Sequence, residues 1–225
     1  MNATQLKVIG IVSMTIDHIG YFLFPQMTVL RMIGRLAYPI FAYMIAEGCR
    51  YTRNKARYFC TMFAIACTCS AAAYFAERSL YQSIFTTFSC AMLLIFALDA
   101  AAKTAEGARK IPWDVSAALL VFLYFAVFQL RMIPGLETDY GFLGIITPVL
   151  VWLGRSKAEK LLGLALGLSL LSAELGAVQF CSLAAVALLY FYNGKRGNHS
   201  LKWAFYVYYP LHIAALYGIA QIAPW

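Results

Sequence analysis

Apolar runs of about 20 residues recur from one end of this chain to the other, and that length matches the hydrocarbon thickness of a bilayer. In lipid such runs must satisfy their own backbone polar groups, which makes them helices. Of the 225 residues, 62% are hydrophobic and only 12% are charged, with a mean hydropathy of +0.70. A soluble domain carries about a quarter charged residues. The gaps between runs are too short for a soluble domain, so the reading is a single domain, 1–225, an all-α polytopic transmembrane bundle. The predicted helices are 6–25, 28–49, 56–76, 82–102, 115–131, 139–154, 159–172, 174–192 and 202–222. A break at Ser172-Ala173-Glu174 separates nine spans from eight. The first run lacks a small-residue cleavage site and ends in Phe24-Pro25, so no cleavable signal peptide is expected.

The net charge of +8 does not point to nucleic acid, because its placement follows membrane topology. Arg50, Arg53, Lys55 and Arg57 follow the second run; Lys103, Arg109 and Lys110 follow the fourth. Arg155, Lys157 and Lys160 follow the sixth; Lys195, Arg196 and Lys202 precede the last. With Lys7 these alternate loops hold 14 of the 18 basic residues. The rule that cytoplasmic loops are basic then predicts a cytoplasmic amino end and, with nine spans, an outer carboxyl end. The six cysteines lie in or beside apolar runs and are expected to be small buried hydrophobes, forming neither a disulfide framework nor a metal site.

Ionisable residues inside a bilayer are expensive and mark function by default. Asp17 and His18 stand well inside the first run. His18 lies about 16 Å from Lys7 along a helix axis, three turns on and on the same face. One groove could hold an anion at its inner mouth and do chemistry at its deep end. Arg31 and Arg35 lie four apart on the second helix and face the same way. Arg35 is deep enough to pair with Asp17 or to stabilise an oxyanion beside His18, whereas Arg31 suits a snorkelling position nearer the surface. A Lys7–Glu47 ion pair is expected at the inner end. On the last run His212 follows Pro210, with Tyr208 one turn earlier on the same face. Asp139-Tyr140-Gly141 opens the sixth helix, a position where an acidic residue suits the helix dipole. His199 sits in a basic loop.

Several stretches together resemble the TraX family, within the superfamily of membrane acyltransferases. They are Lys7 with Met14-Thr15-Ile16-Asp17-His18-Ile19-Gly20; Leu30-Arg31-Met32-Ile33-Gly34-Arg35-Leu36-Ala37-Tyr38-Pro39-Ile40-Phe41 with Glu47-Gly48; and Asp139-Tyr140-Gly141 with Gly144. Tyr192-Asn193-Gly194-Lys195-Arg196-Gly197 and Phe205-Tyr206 with Tyr209-Pro210-Leu211-His212 complete them. In that superfamily a basic residue, ten residues and a His mark the first helix, the spacing of Lys7 and His18. The resemblance implies a cytoplasmic acetyl-CoA donor, acetyl passage across the membrane and an acceptor reached from outside. The name-giving member of the family acetylates the amino terminus of a conjugative pilin.

On this reading His18 is the catalytic base or a transient acetyl carrier, with Asp17, Arg35 and His212 orienting groups or stabilising charge. Lys7, Arg50, Lys195, Arg196 and Lys202 are the inner-face cations available to the CoA phosphates. Arg31, Tyr38, Glu47, Asp139, Tyr140 and Tyr208 are the expected acceptor-side residues. No metal is expected. The expected partners are the bilayer of a bacterial cytoplasmic membrane, a CoA thioester and an acceptor small molecule or peptide amino terminus, with no nucleic acid; the sequence leaves a homo-oligomer open. The competing class is a small-solute transporter using the same His, Asp and Arg cluster. CoA binding and turnover distinguish the two.

Overall fold

The computed structural model describes residues 1–104, 111–197 and 202–222, and the side chains of all of these except 202–205. Arg109, Lys110, His199 and the Lys202 side chain therefore lie outside the described residues. The described chain is all-α. Among these residues no strand forms, and the one β-type pairing is an isolated bridge between Gln82 and Thr138.

Helix α1 (Ala3–Phe22) opens on a reciprocal cap: the Gln5 N–H donates to the Asn2 side chain at 3.0 Å and the Asn2 N–H to the Gln5 side chain at 2.9 Å. The second apolar run becomes two helices, α2 (Thr28–Gly34) and α3 (Ala37–Tyr51), broken at Arg35-Leu36. Pro39 explains the break: it has no N–H for the Arg35 carbonyl, and its ring presses on that carbonyl. Helix α4 (Lys55–Glu77) is capped by Asn54, which accepts from the Arg57 N–H at 2.8 Å. Helix α5 (Ile84–Lys103) follows, then α6 (Ile111–Tyr124), which continues as a π-helical segment, Phe125–Gln129. Helix α7 spans Gly141–Leu153, and α8 (Lys157–Leu175) starts where Glu159 accepts from the Arg155 N–H and the Ser156 hydroxyl.

The break in 159–192 falls at Gly176, not at Ser172-Ala173-Glu174. Gly176 has φ +90, and its N–H donates to the Ser172 carbonyl at 2.9 Å, a glycine stop at the helix end. A 3₁₀ segment, Ala177–Leu183, leads into α9 (Ala184–Tyr190), and α10 is Lys202–Ile222.

Two compact units result: Met1–Met44 with Leu161–Trp225, and Ile45–Lys160. In the first, the amino end is tied to the loop after α9, because the Ala3 N–H donates to the Lys195 carbonyl and the Asn193 N–H to the Met1 carbonyl, both at 2.9 Å. Close approach of α1 to α2 depends on small residues: a Cβ at Gly34 would overlap the Asp17 side chain, and one at Gly20 would sit 2.8 Å from Leu30 Cβ. Leu164, Leu168 and Leu171 of α8 are fully buried, yet Leu162, Leu166 and Leu170 on its other face are exposed. A helix apolar all round belongs in a membrane.

In the second unit, Phe85, Phe88, Met92, Ile95 and Ile145 form the core. At one end Lys55 and Lys103 share Asp99, Lys160 pairs with Glu47 at 2.7 Å, and Arg50 donates to the Trp152 and Gly154 carbonyls that close α7. At the other end Tyr81 donates to Asp139 at 2.6 Å and the Gln82 N–H to the Glu137 carbonyl at 2.7 Å. The exposed faces of α4 and α6 carry Phe63, Phe75, Leu119 and Phe122.

Four helical segments are long and apolar enough to cross a membrane, by length and composition: Thr28–Tyr51, Lys55–Glu77, Ile84–Lys103 and Ile111–Gln129. Gly141–Leu153 and Ala177–Tyr190 are apolar but shorter. The protein is a membrane protein. All six cysteines are free thiols. Cys49 is buried as expected, but Cys60 and Cys67 lie exposed on α4, a helix whose apolar residues face outward as well as inward.

Candidate functional site

The first unit joins the ionisable residues of α1, α2 and α10 into two adjoining networks. One is built on histidines. His18 Nδ1 lies 2.7 Å from His212 Nε2, and His212 Nδ1 lies 2.9 Å from the Tyr208 carbonyl. A carbonyl only accepts, so His212 Nδ1 carries a proton. With His212 neutral, its Nε2 then accepts, and His18 Nδ1 must be the donor. The proton order is thereby fixed along the chain, and it leaves His18 Nε2 as a lone pair. That atom has no hydrogen-bond partner among the described residues.

The histidine pair is held on both sides. The Tyr208 ring stacks on His212 with centroids 4.8 Å apart, and Tyr209 meets both imidazoles edge-on. One turn before His18, the Thr15 hydroxyl donates to the Ile11 carbonyl at 2.8 Å, so the Tyr208 hydroxyl donates to Thr15 across 2.7 Å. The two cross-helix bonds pair 15 with 208 and 18 with 212, which makes α1 and α10 parallel.

The second network surrounds Asp17. Arg31 Nη1 donates to its Oδ2 at 2.7 Å and to its backbone carbonyl at 3.1 Å, while Arg35 Nη2 lies 3.4 Å from Oδ1. Arg31 is thus drawn inward to a carboxylate rather than extended toward the membrane surface, with its guanidinium also over the Tyr21 ring. Arg35 Nη1 reaches Gln179 Oε1 at 3.4 Å. Asp17 and His18 are neighbours in sequence but serve different partners, because successive residues of a helix point about 100° apart. A cleft of about 330 Å³ is lined by Thr28, Arg31, Arg35, Leu175, Val178 and Gln179.

The remaining candidates are placed as follows. Lys7 is on α1, about one turn from the end where Ala3 meets Lys195, and Lys195 and Arg196 are exposed there. Tyr38 is buried in the first unit. Arg50, Glu47, Asp139 and Tyr140 belong to the second unit. Arg50 is engaged with the α7 carbonyls, and Glu47 has Lys160 as its partner where the sequence suggested Lys7. Asp139 accepts from Tyr81, and the residue at the start of α7 is Tyr140, at φ 63. Among the described residues no cluster could hold a metal ion. The sequence reading missed Thr15 and Gln179. A polar side chain inside the apolar stretch Ala177-Val178-Gln179-Phe180 was the available signal for the second.

The model of one family, described as TraX protein, matches residues 2–220. A Dichelobacter nodosus protein named "Probable fimbrial assembly protein FimC, serogroup H1" is 27% identical over 240 aligned positions, 96% of this chain and 94% of that protein. An uncharacterized protein of Rickettsia prowazekii is 50% identical over 52 residues, 23% of this chain and 21% of that protein's length. No solved structure matches.

Proposed function

The chain belongs to the TraX family, and on that premise we propose that it is a membrane-embedded acetyltransferase. It moves an acetyl group from cytoplasmic acetyl-CoA to an amine or hydroxyl acceptor reached from the outer side of a bacterial cytoplasmic membrane. The observation that carries this reading is the ordered chain from the Tyr208 carbonyl through His212 to His18, which presents His18 Nε2 as a base.

In the proposed step the acceptor's nucleophilic atom bonds to the acetyl carbonyl carbon as the thioester carbon–sulfur bond breaks. The acceptor's proton passes to His18 Nε2 and then to the departing thiolate sulfur. While His18 is doubly protonated, its Nδ1–H remains bonded to His212 Nε2, so the positive charge forms on a ring already held in place. Lys7, Lys195 and Arg196 gather at one end of the first unit, and His18 lies deeper along α1. A polyanion held by these cations could extend a long thioester arm toward His18. The name of the Dichelobacter relative, a probable fimbrial assembly protein, adds a fimbrial protein to the acceptors worth testing.

Nine passes with a cytoplasmic amino end are part of the proposal. Parallel first and last helices favour an odd number of passes, and the ninth is proposed to come from dividing the chain at the Gly176 break.

Purified full-length protein should bind acetyl-CoA, and Lys7→Ala should weaken that binding. A folded protein that does not bind CoA, or that carries a solute across vesicles without it, would overturn the reading in favour of a transporter.

A further inference from the structure

The cleft beside Asp17 contains more hydrogen-bond donors than the protein uses. Arg31 commits only Nη1 to Asp17, and its Nε and Nη2 have no hydrogen-bond partner among the described residues. Gln179 is 2% exposed, and its side-chain orientation is fixed because Oε1 accepts from Arg35. Its Nε2 is consequently a buried donor with no acceptor. A buried donor left without a partner costs about 1–3 kcal/mol, and such groups in native proteins call for an explanation. The rest of the lining is the Thr28 hydroxyl and the apolar side chains of Leu175 and Val178. The spare donors, Arg31 Nε and Nη2 and Gln179 Nε2, suit an acceptor group on a ligand with a short apolar portion.

The cleft also lies in a particular place. Helix α1 runs from the end where Ala3 meets Lys195 toward Phe22, and Thr28 begins α2 beyond that far end. The cleft therefore opens at the end of the first unit opposite the cluster of Lys7, Lys195 and Arg196. It touches the helix of the His18 base through Asp17, one residue away.

We propose that this cleft is a carboxylate-binding site, formed by Arg31, Arg35 and Gln179, and that the acceptor is a small amino or hydroxy acid whose carboxylate it holds. The acceptor assignment rests on the acetyltransferase reading; the carboxylate site does not. A planar guanidinium fork with an amide donor beside it matches the two oxygens of a carboxylate. The volume, at the lower end of the roughly 300–1,000 Å³ typical of ligand sites, suits a carboxylate with a few carbons.

The test is thermal unfolding of the full chain in detergent with butyrate or with butyramide at equal ionic strength. The two probes share shape and differ in charge. Butyrate should raise the unfolding temperature in a saturable manner and butyramide should not. Gln179→Leu should weaken butyrate binding about ten-fold, the loss of one hydrogen bond to a charged group. Gln179→Glu, which places a carboxylate in the cleft, should abolish it. Unliganded unfolding of each variant reports whether it folds, and either variant alone suffices. Equal protection by the two probes, no protection by either, or wild-type butyrate binding in a folded variant would overturn the proposal. Butyrate protection in a protein that does not bind CoA would remove the acetyltransferase reading and the acceptor role, and leave the carboxylate site in place.

Discussion

A neutral imidazole that donates from one nitrogen must accept on the other, and this rule links Tyr208, His212 and His18 into one directed chain. His212 then acts on His18 in two separable ways: as an acceptor that fixes its tautomer, and as a group that could take its proton. Glutamine can do the first and not the second. His212→Gln should therefore retain most of the acetyl transfer, while His212→Ala should lose it by less than roughly 10². His18→Ala should lose about 10²–10⁴, the usual contribution of a general base. Rates measured with labelled acetyl-CoA on folded variants check all three. Equal damage from glutamine and alanine at 212 would mean that proton relay, not orientation, is its role. The candidate status of His18 and His212 was legible in the sequence, because an ionisable residue in an apolar run is conspicuous. Their partnership was not, since 194 positions separate them and no periodicity links α1 to α10. Likewise Asp17 and Arg31 could each be recognised as intramembrane charges, but only the fold draws Arg31 to Asp17.

At the scale of elements, the apolar runs set the helices and the breakers set their details. Predicted 56–76 and 82–102 became Lys55–Glu77 and Ile84–Lys103, with ends fixed by caps such as Asn54. The breaks at Arg35-Leu36 and Gly176 required knowledge of where Pro39 and Gly176 act, four residues back in one case and at the helix end in the other. The α1–α2 contact is narrow because Gly34 lies against Asp17. Gly34→Ala should therefore force the Asp17 side chain away from its arginines and destabilise the protein by about 1–3 kcal/mol, the usual range for overpacking. Gly218 on α10 is the matched control, because a Cβ there meets nothing within 4 Å. Gly218→Ala should be neutral or stabilising by up to about 1 kcal/mol. Comparing the unfolding midpoints of the two variants in one detergent decides the matter. Equal midpoints would mean that α1 and α2 do not pack this closely in the membrane.

At the scale of the whole molecule, the charge pattern and the helix directions bear separately on the proposed topology. In the first unit the amino end and the residues Asn193 to Gly197 share an end, and Lys7, Lys195 and Arg196 lie toward it. In the second unit Arg50, Lys55, Lys103 and Lys160 gather at one end. The opposite end of that unit carries Arg78 and Arg131 along with Glu77, Glu137 and Asp139. Short basic loops tend to stay in the cytoplasm, and in the proposed topology the lysine-rich end of each unit is accordingly the inner one. The directions of α1 and α10 add a separate constraint. Thr15 with Tyr208 and His18 with His212 step along both helices in the same sense, so the first and last helices cross in the same direction. If every pass spans, their number must be odd. The nine passes proposed above satisfy that condition. A phosphatase domain, active only outside, fused after Trp225 should be active; fused after Asn54 or Arg155 it should be silent. A fluorescent protein that matures only in the cytoplasm should give the inverse pattern at all three sites. Phosphatase activity at Asn54 would reverse the assigned faces and put Lys7 outside, where cytoplasmic CoA does not reach. A silent fusion after Trp225 with Asn54 still inside would make the number of passes even, which the parallel pairing of α1 and α10 does not allow.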